Sequence, residues 1–410
     1  MDRRDFLKGA AAGGASLAFR RAGLWGQEAP RPKARGVIWL WMSGGLSQID
    51  TFDPKPGTTN GGPQKAIDTS VPGVQFSELL PRSAEQMKHM AVIRSMNTME
   101  GSRARGTFLM HVGFPAVPGI DFPSIGTVVA HELGRPGNPL PRFVAIDPPV
   151  LPSSTLFGEE CSPFPLRNAD DPIPNLRSLV DAARDRDRLS LLKDQNKEYE
   201  SGHASDASAQ LRDAARQAQD LMTSPLLRAF DYKEEPEAIR EAYGERFGIN
   251  CLLARRLIEA GCPFIEIGVG GWNMHRDIFG NYKRVLPTID RGFGTLIGDL
   301  AERGLLKETL VVLATELGRT PHVNAGKGRD VHACGFSIVL AGAGIRPGCV
   351  YGSTGPQGEE CIDPVTPSQL FATLYSALGI DPTKRFGLSP ESGHDTYVWP
   401  AAEPIRKLLR

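Results

Sequence analysis

Short, wholly apolar runs that alternate with helical patterns most restrict the fold of this 410-residue chain. The first run, Gly36–Met42, reads as a buried parallel strand. Met90–Met96 and Arg142–Ile146 are two further strand candidates, and strands and helices alternate from Pro263 onward. This order predicts a three-layer α/β/α sandwich with a mostly parallel central sheet.

The region after Pro263 carries the clearest pattern. It predicts strands at Phe264–Ile267, Thr309–Ala314 and Gly335–Ala341, and helices at Tyr282–Arg303 and Pro367–Leu378. Gly304 suits the position just after a helix end, and Pro367 suits a first turn. Because ligands bind at the carboxyl ends of the strands in such sheets, the site is expected in the loops that leave those ends.

The middle of the chain has a different composition and residue pattern. From about residue 173 to 259 it is charge-dense, with leucines at helical spacing, and residues 198–208 form a polar break. We therefore expect a single domain over residues 33–410 that carries a helical insertion at about 173–259.

The first residues form a separate segment. Arg3-Arg4-Asp5-Phe6-Leu7-Lys8 precedes a weakly apolar stretch made mostly of glycine and alanine, Gly9–Phe19. Adjacent arginines before such a mild core are typical of a twin-arginine signal, here expected over residues 1–29. Such a signal predicts export of the folded protein to the periplasm or another extracytoplasmic space. No later apolar run is long enough to predict a membrane span in the mature chain.

Charge and cysteine content exclude some classes of protein. Lys+Arg and Asp+Glu each number 47, so the chain lacks the basic excess expected of a nucleic-acid-binding protein. Six cysteines are scattered without a Cys-x-x-Cys pair, which argues against a zinc ribbon or a redox motif. An oxidising compartment would permit a disulfide, but the spacing assigns no pair.

The predicted strand ends are followed by polar side chains. Candidate metal ligands are Asp50, Asp53, His275, Glu316, Asp330 and His332, with Arg319 and Arg329 as partners for an anion. Mixed carboxylate and imidazole ligands suit zinc or manganese. Two such ions with an arginine would suit attack on a phosphate or sulfate ester.

These residues also have structural interpretations. Asp50 and Asp53 could bond loop amides ahead of Pro54. A buried Glu316 needs a partner, and Arg319 or Arg329 could supply one. His332 precedes an apolar strand and could be a core histidine.

Several motifs follow one another in order along the chain, among them Gly44–Pro56, Arg94–Met96, Gly270–His275, Thr315–Pro321 and Gly328–Asp330. Together they resemble one family, the domain of unknown function 1501, over nearly the whole chain after the leader. The resemblance implies a branch of the alkaline phosphatase and sulfatase superfamily, with a metal site at the strand ends. The implied cofactor is one or two divalent ions (zinc, manganese or calcium), or none.

The chain departs from the family pattern at three positions. Asn273 stands where the family usually has aspartate, Val331 where it has histidine, and Arg103 where it tends to have histidine. Ser102 lies roughly where sulfatase-like relatives hold their nucleophile. These departures replace three potential ligands, so one metal ion, or none, is expected as readily as a complete two-metal site.

Two functions follow from these observations. The first is an exported metal-dependent hydrolase of phosphate or sulfate esters, acting on an anionic small molecule or glycan. Ser47 or Ser102 would be its nucleophile, while Arg319 or Arg329 would steady the anion. The alternative is a non-catalytic member of the fold that binds an anionic ligand, a glycan or a partner protein.

Overall fold

The computed structural model describes residues 34–118, 122–148, 156–171, 173, 176, 180–202, 216–384, 386–387, 395–396 and 402–410. Ala34–Arg410 form one compact unit. The expected signal segment, residues 1–29, lies outside the described residues, as do parts of the expected helical insertion. Within the described ranges, no helix is both long and apolar enough to cross a bilayer.

The strands of the described residues fall into one large sheet and three small ones. In chain order they are β1 (Gly36–Met42), β2 (Ala66–Asp68), β3 (Gln75–Ser77), β4 (Met90–Asn97), β5 (Phe143–Ile146), β6 (Phe164–Leu166), β7 (Phe264–Val269), β8 (Thr309–Ala314), β9 (Gly318–Arg319), β10 (Val331–His332), β11 (Cys334–Gly342), β12 (Cys349–Tyr351), β13 (Phe386–Gly387) and β14 (Asp395–Thr396). The small sheets are the antiparallel pairs β2–β3, β9–β10 and β13–β14.

The large sheet has the strand order β12-β4-β11-β8-β1-β7-β5-β6. β1 runs parallel to both of its neighbours, β7 and β8. β11 is antiparallel to β8 and to β4, while the other pairings in the sheet are parallel. The expected mostly parallel sheet is confirmed. Its topology brings the carboxyl ends of β1, β4, β7 and β8 to one edge, which we call the carboxyl edge.

The helices of the described residues lie on both faces of this sheet. The α-helices with complete bounds are α1 (Pro81–Gln86), α2 (Arg103–Val112), α3 (Ile125–Leu133), α4 (Ala182–Gly202), α5 (Glu237–Tyr243), α6 (Phe247–Glu259), α7 (Ile278–Glu302) and α8 (Pro367–Leu378), and residues 216–223 are also helical. Short 3-10 helices span Met87–His89, Glu159–Cys161, Pro225–Phe230, Tyr232–Glu234, Leu305–Lys307 and Arg406–Leu408.

The central strand β1 shows why the fold has three layers. All seven of its residues are buried, so both of its faces must be covered. Ile38 and Leu40 pack in one apolar cluster with residues of α1, α6 and α7. Trp39 and Trp41 point to the opposite face, where α2, α3 and α8 supply the cluster. The three-layer α/β/α architecture is therefore confirmed.

Part of the expected helical insertion belongs to these layers. Helix α6 buries Leu252, Leu253, Leu257 and Ile258 in the same cluster as β1, and it packs against α7. Helix α4 is different, because residues 186–196 of it are mostly exposed. Residues 174–175, 177–179 and 203–215 of the expected insertion, including most of its polar break, lie outside the described residues.

Candidate functional site

The loop after β1 packs against the loop after β7 at the carboxyl edge. Gly44 and Gly45 both have positive φ angles, 126° and 92°. A Cβ atom on Gly44 would lie 2.7 Å from the backbone nitrogen of Asn273, so this close approach requires glycine. The two loops are thereby held in contact although they are far apart in sequence.

Glu316, two residues after the end of β8, joins this contact to the start of α2. Its carboxylate is fully buried and accepts hydrogen bonds from the Gly44 N–H at 2.7 Å and from the Arg103 Nε–H at 3.3 Å. The Thr315 hydroxyl donates to the other carboxylate oxygen at 3.3 Å. The partner of Glu316 is therefore Arg103, whereas the sequence suggested Arg319 or Arg329.

The N-terminus of α2 lies over Glu316. Ser102 is the N-cap residue, but its hydroxyl makes no capping hydrogen bond. Glu100 organises this turn, because its carboxylate accepts from the Ser102 N–H at 2.7 Å and from two Arg105 nitrogens at 2.7 and 3.0 Å. The Arg103 side chain is 43% exposed and bonds Glu316 through Nε.

His275 and Asp330 form a second polar group at this edge. The His275 Nδ1 lies 2.6 Å from an Asp330 carboxylate oxygen, and Asn324 donates to the same oxygen at 3.2 Å. Arg319 approaches the His275 Nε2 at 3.5 Å. The His275 ring therefore lies between a carboxylate that can accept from Nδ1 and a guanidinium that can only donate. Hydrogen bonding from His275, and then from Asn324, lowers the pKa of Asp330.

Arg319 holds the surrounding loops together. Its buried guanidinium donates to the carbonyl oxygens of Gly44, of Gly45 at 3.0 Å and of Trp272 at 2.9 Å, and to the Asn273 amide oxygen at 3.1 Å. It also donates to the Arg329 carbonyl at 3.2 Å. These donors are committed to the loops, so the geometry does not support the predicted role of Arg319 as an anion partner.

Arg329, Asp50 and Ser47 form a separate buried group. The Arg329 guanidinium binds both carboxylate oxygens of Asp50, at 2.8 and 3.1 Å, and donates to the carbonyl oxygens of Asn60 and Pro321. The Ser47 hydroxyl donates to the same carboxylate at 2.5 Å. All three side chains are fully buried. The predicted roles of Ser47 as nucleophile and Arg329 as anion partner therefore find no support in this geometry.

The last two predicted ligands lie in other surroundings. Asp53 is ion-paired with Lys55 at 2.9 Å and Arg94 at 3.3 Å, and it accepts a hydrogen bond from the Thr354 hydroxyl. His332 is half-buried on β10, where burial, and then the charge of His322, lower its pKa. Neither residue joins the Glu316 or His275 group through a hydrogen bond that the structure records.

The donor set does not fit a divalent metal ion. The Asp50, Asp53 and Glu316 carboxylates are each ion-paired with an arginine, and a cationic guanidinium beside a carboxylate opposes a second cation there. Across the described residues, no three His, Cys, Asp or Glu side chains converge as metal ligands do. In this structure the six candidate ligands are divided among separate ion pairs and hydrogen bonds, so the metal site stays a prediction from the sequence.

Two arginines of the site were not predicted as such. Arg94 pairs with Asp53, and its signal was a charged residue inside the mostly buried strand β4. Arg103 was noted only as a departure from a family pattern. Its pairing with Glu316 depends on the approach of α2 to the end of β8, which no local pattern reveals.

Comparison with known proteins supplies a family. The family model described as "Protein of unknown function (DUF1501)" matches residues 34–399. A model of the twin-arginine translocation pathway signal sequence matches residues 1–19, which confirms the predicted signal and extracytoplasmic export. No curated protein matches the chain.

Similar solved structures share little sequence with this chain. The PsFucS1 sulfatase from Pseudoalteromonas sp. is 14% identical over 93% of this chain and 72% of its own, with a TM-score of 0.36. A protein of the alkaline phosphatase superfamily from Vibrio parahaemolyticus is 12% identical over 85% and 67%, with a TM-score of 0.36. The lipoteichoic acid synthase LtaP from Listeria monocytogenes is 11% identical over 90% and 76%, with a TM-score of 0.39. These scores are too low to carry a residue role or a substrate over to this chain.

Proposed function

Because the chain belongs to the DUF1501 family, whose function is unknown, we propose a function from its own residues: an exported protein that binds an anionic ester. The bound group would be the phosphate or sulfate of a small molecule or a glycan. The proposed site is the N-terminus of α2 at the carboxyl edge.

The position of Arg103 is the observation that carries this proposal. The first-turn N–H groups of a helix have no partner within the helix and bear a partial positive charge, so they attract anions. The Ser102 hydroxyl makes no capping bond to those groups, and Arg103 extends from the same turn. Planar guanidinium groups bind phosphate and sulfate oxygens through paired hydrogen bonds.

Glu316 would prepare Arg103 for this role. Its buried carboxylate holds Nε and so limits the freedom of the arginine side chain before a ligand arrives. A side chain that is already ordered loses less entropy when it binds. Binding in this form needs no divalent ion, in keeping with carboxylates that are already paired with cations.

A binding titration tests the proposal. Inorganic phosphate, inorganic sulfate and an aryl sulfate are titrated by calorimetry into the wild-type protein, the Arg103→Gln variant and the Arg105→Gln variant. We expect Arg103→Gln to weaken binding by about tenfold or more, because a charge-assisted hydrogen bond is lost.

The Arg105→Gln variant is the matched control. Arg105 lies in the same turn, but its side chain is exposed and bound by Glu100, so its removal should alter affinity much less. If both variants weakened anion binding equally, the loss of one positive charge would explain the result, and Arg103 would have no specific role. Absence of binding by the wild-type protein would refute the proposal.

Hydrolysis of the bound ester is a second candidate function, and the His275–Asp330 pair favours it. When the Asp330 carboxylate accepts a hydrogen bond from the His275 Nδ1–H, the Nε2 of the same ring can act as a base. A serine nucleophile needs such a base to activate it. Ser102 is the nucleophile we propose. The Arg319 contact at 3.5 Å is long enough to be a weak competitor for Nε2.

Release of a phenol from an aryl phosphate or aryl sulfate tests this candidate. Both His275→Gln and Ser102→Ala should lower kcat by about a hundredfold or more, while His322→Gln, at an exposed neighbouring position, should not. If the wild-type protein binds the ester and releases no phenol, binding alone remains the function. If the His275→Gln variant retains full activity, the assignment of the base fails.

A further inference from the structure

Two cysteines meet beside strand β4 at the carboxyl edge. Cys334 begins β11, where it pairs with Asn97 on β4. The Cys361 thiol lies 3.5 Å from the carbonyl oxygen of Ser95, two residues earlier on β4. Both cysteines are half-buried and both are free thiols in this structure.

The segments that carry the two cysteines pack against each other. A Cβ atom on Gly335, the residue after Cys334, would lie 3.5 Å from the carbonyl oxygen of Glu360, the residue before Cys361. The backbone of the second segment is fixed nearby, because Val365 donates to the Ser95 carbonyl at 2.9 Å. The neighbours of each cysteine are thus in contact, as a disulfide between them requires.

The chemical state of Cys334 agrees with this arrangement. Burial raises the pKa of Cys334 to about 12, and the neighbouring Cys361 thiol adds to that rise. The Cys361 thiol is thus one of the groups that surround Cys334.

We propose that Cys334 and Cys361 form an intramolecular disulfide after export. One thiolate attacks a disulfide of an external oxidant, either a protein disulfide or oxidised glutathione, and releases one thiol. The second thiolate then attacks the protein sulfur of that mixed disulfide and releases the other thiol. Two protons leave the cysteines, and their two electrons reduce the oxidant to two thiols.

The compartment determines when this happens. The twin-arginine signal exports the chain already folded from the reducing cytoplasm to a space where disulfides persist. The bridge must then close on a native fold, so only thiols that already lie together can form it. Cys161, Cys251 and Cys262 are buried, which leaves Cys349 as the remaining half-buried cysteine.

The bridge would fasten a loop that supports the site. It would close the segment that contains β12 and the turn around Thr354. Thr354 donates to Asp53, and Asn60 donates to the Gln357 carbonyl at 2.9 Å, so this segment packs on the loop after β1. Restricting the unfolded chain should raise the Tm by about 5 °C on oxidation.

Thiol counting on the exported full-length protein tests the proposal. The protein is isolated without reductant, incubated with oxidised glutathione, unfolded and alkylated, and its mass and peptides are measured. Six cysteines less one bridge should give four alkylated thiols and one peptide pair that joins Cys334 to Cys361. Treatment with dithiothreitol should restore six alkylated thiols and lower the Tm.

The Cys349→Ser variant is the matched control and should keep the cross-link. The Cys361→Ser variant should lose it and leave five free thiols. Six free thiols in the oxidised wild-type protein, or a peptide pair that joins other cysteines, would overturn the proposal. The thiol count and the cross-linked peptide of the wild-type protein are sufficient to test the proposal, so poor folding of a variant does not affect the test.

Discussion

At the scale of single residues, the main finding is that three of the six predicted metal ligands, Asp50, Asp53 and Glu316, are paired with arginines. The sequence placed Asp50, Glu316 and Asp330 correctly in loops at one edge of the sheet. It could not assign their partners, because Asp50 and Arg329 are 279 positions apart and meet only through the fold. Residue type therefore predicted the location of the polar groups, and tertiary contacts decided their chemistry.

The Asp50–Arg329 pair leads to a prediction about stability. Asp50→Asn should lower the free energy of unfolding by about 3 kcal/mol, because it leaves the fully buried Arg329 guanidinium without its charge partner. Urea denaturation measures the change. The exposed Asp68→Asn is the control and should cost about 0.5 kcal/mol or less. If both variants lost a similar free energy of unfolding, the buried Asp50–Arg329 pair would contribute no more to stability than an exposed carboxylate.

At the scale of elements, the apolar strands were the most predictable part. β1, β8 and α8 have the predicted bounds, because wholly buried runs and a proline in the first turn leave strong local signals. Helix α7 begins at Ile278, earlier than predicted, because the Asp277 side chain caps it by accepting from the Gly280 N–H. The antiparallel direction of β11 depends on chain path and has no local signal.

A buried ion pair joins α2 to the central strand β7 and should make stability depend on pH. The His111 Nε2 lies 3.0 Å from a Glu266 carboxylate oxygen, and its Nδ1 bonds the Thr107 carbonyl at 2.8 Å. Burial lowers the pKa of His111, but the charge and hydrogen bond of Glu266 outweigh it, so the pKa is raised overall. The unfolded chain should titrate near about 6.5.

A raised pKa fixes the sign of this effect. The stabilisation by His111 is complete below the pKa of the unfolded state and is lost as the pH rises through the higher pKa of the folded state. His111→Gln should therefore cost more free energy of unfolding at about pH 6 than at about pH 9. Urea denaturation of both proteins across this range measures the difference. A difference that grows with pH would contradict the assignment.

At the scale of the whole molecule, a signal for folded export precedes an α/β/α domain whose loops meet at one edge of a mostly parallel sheet. Fold and export could be predicted from sequence because each has strong local signals. The proposed anion site could not, since it depends on Arg103 reaching Glu316 across 213 positions of the chain. The central proposal is that this edge binds an anion through Arg103 and α2 without a divalent ion.

A sulfate titration of chelator-treated protein tests that proposal most directly. Calorimetry is performed on the wild-type protein before and after addition of zinc, manganese or calcium, with the bound metal measured by elemental analysis. We predict the same sulfate affinity in every case and no stoichiometric metal in the protein that binds. Sulfate binding that appears only when one or two divalent ions are bound per chain would contradict it.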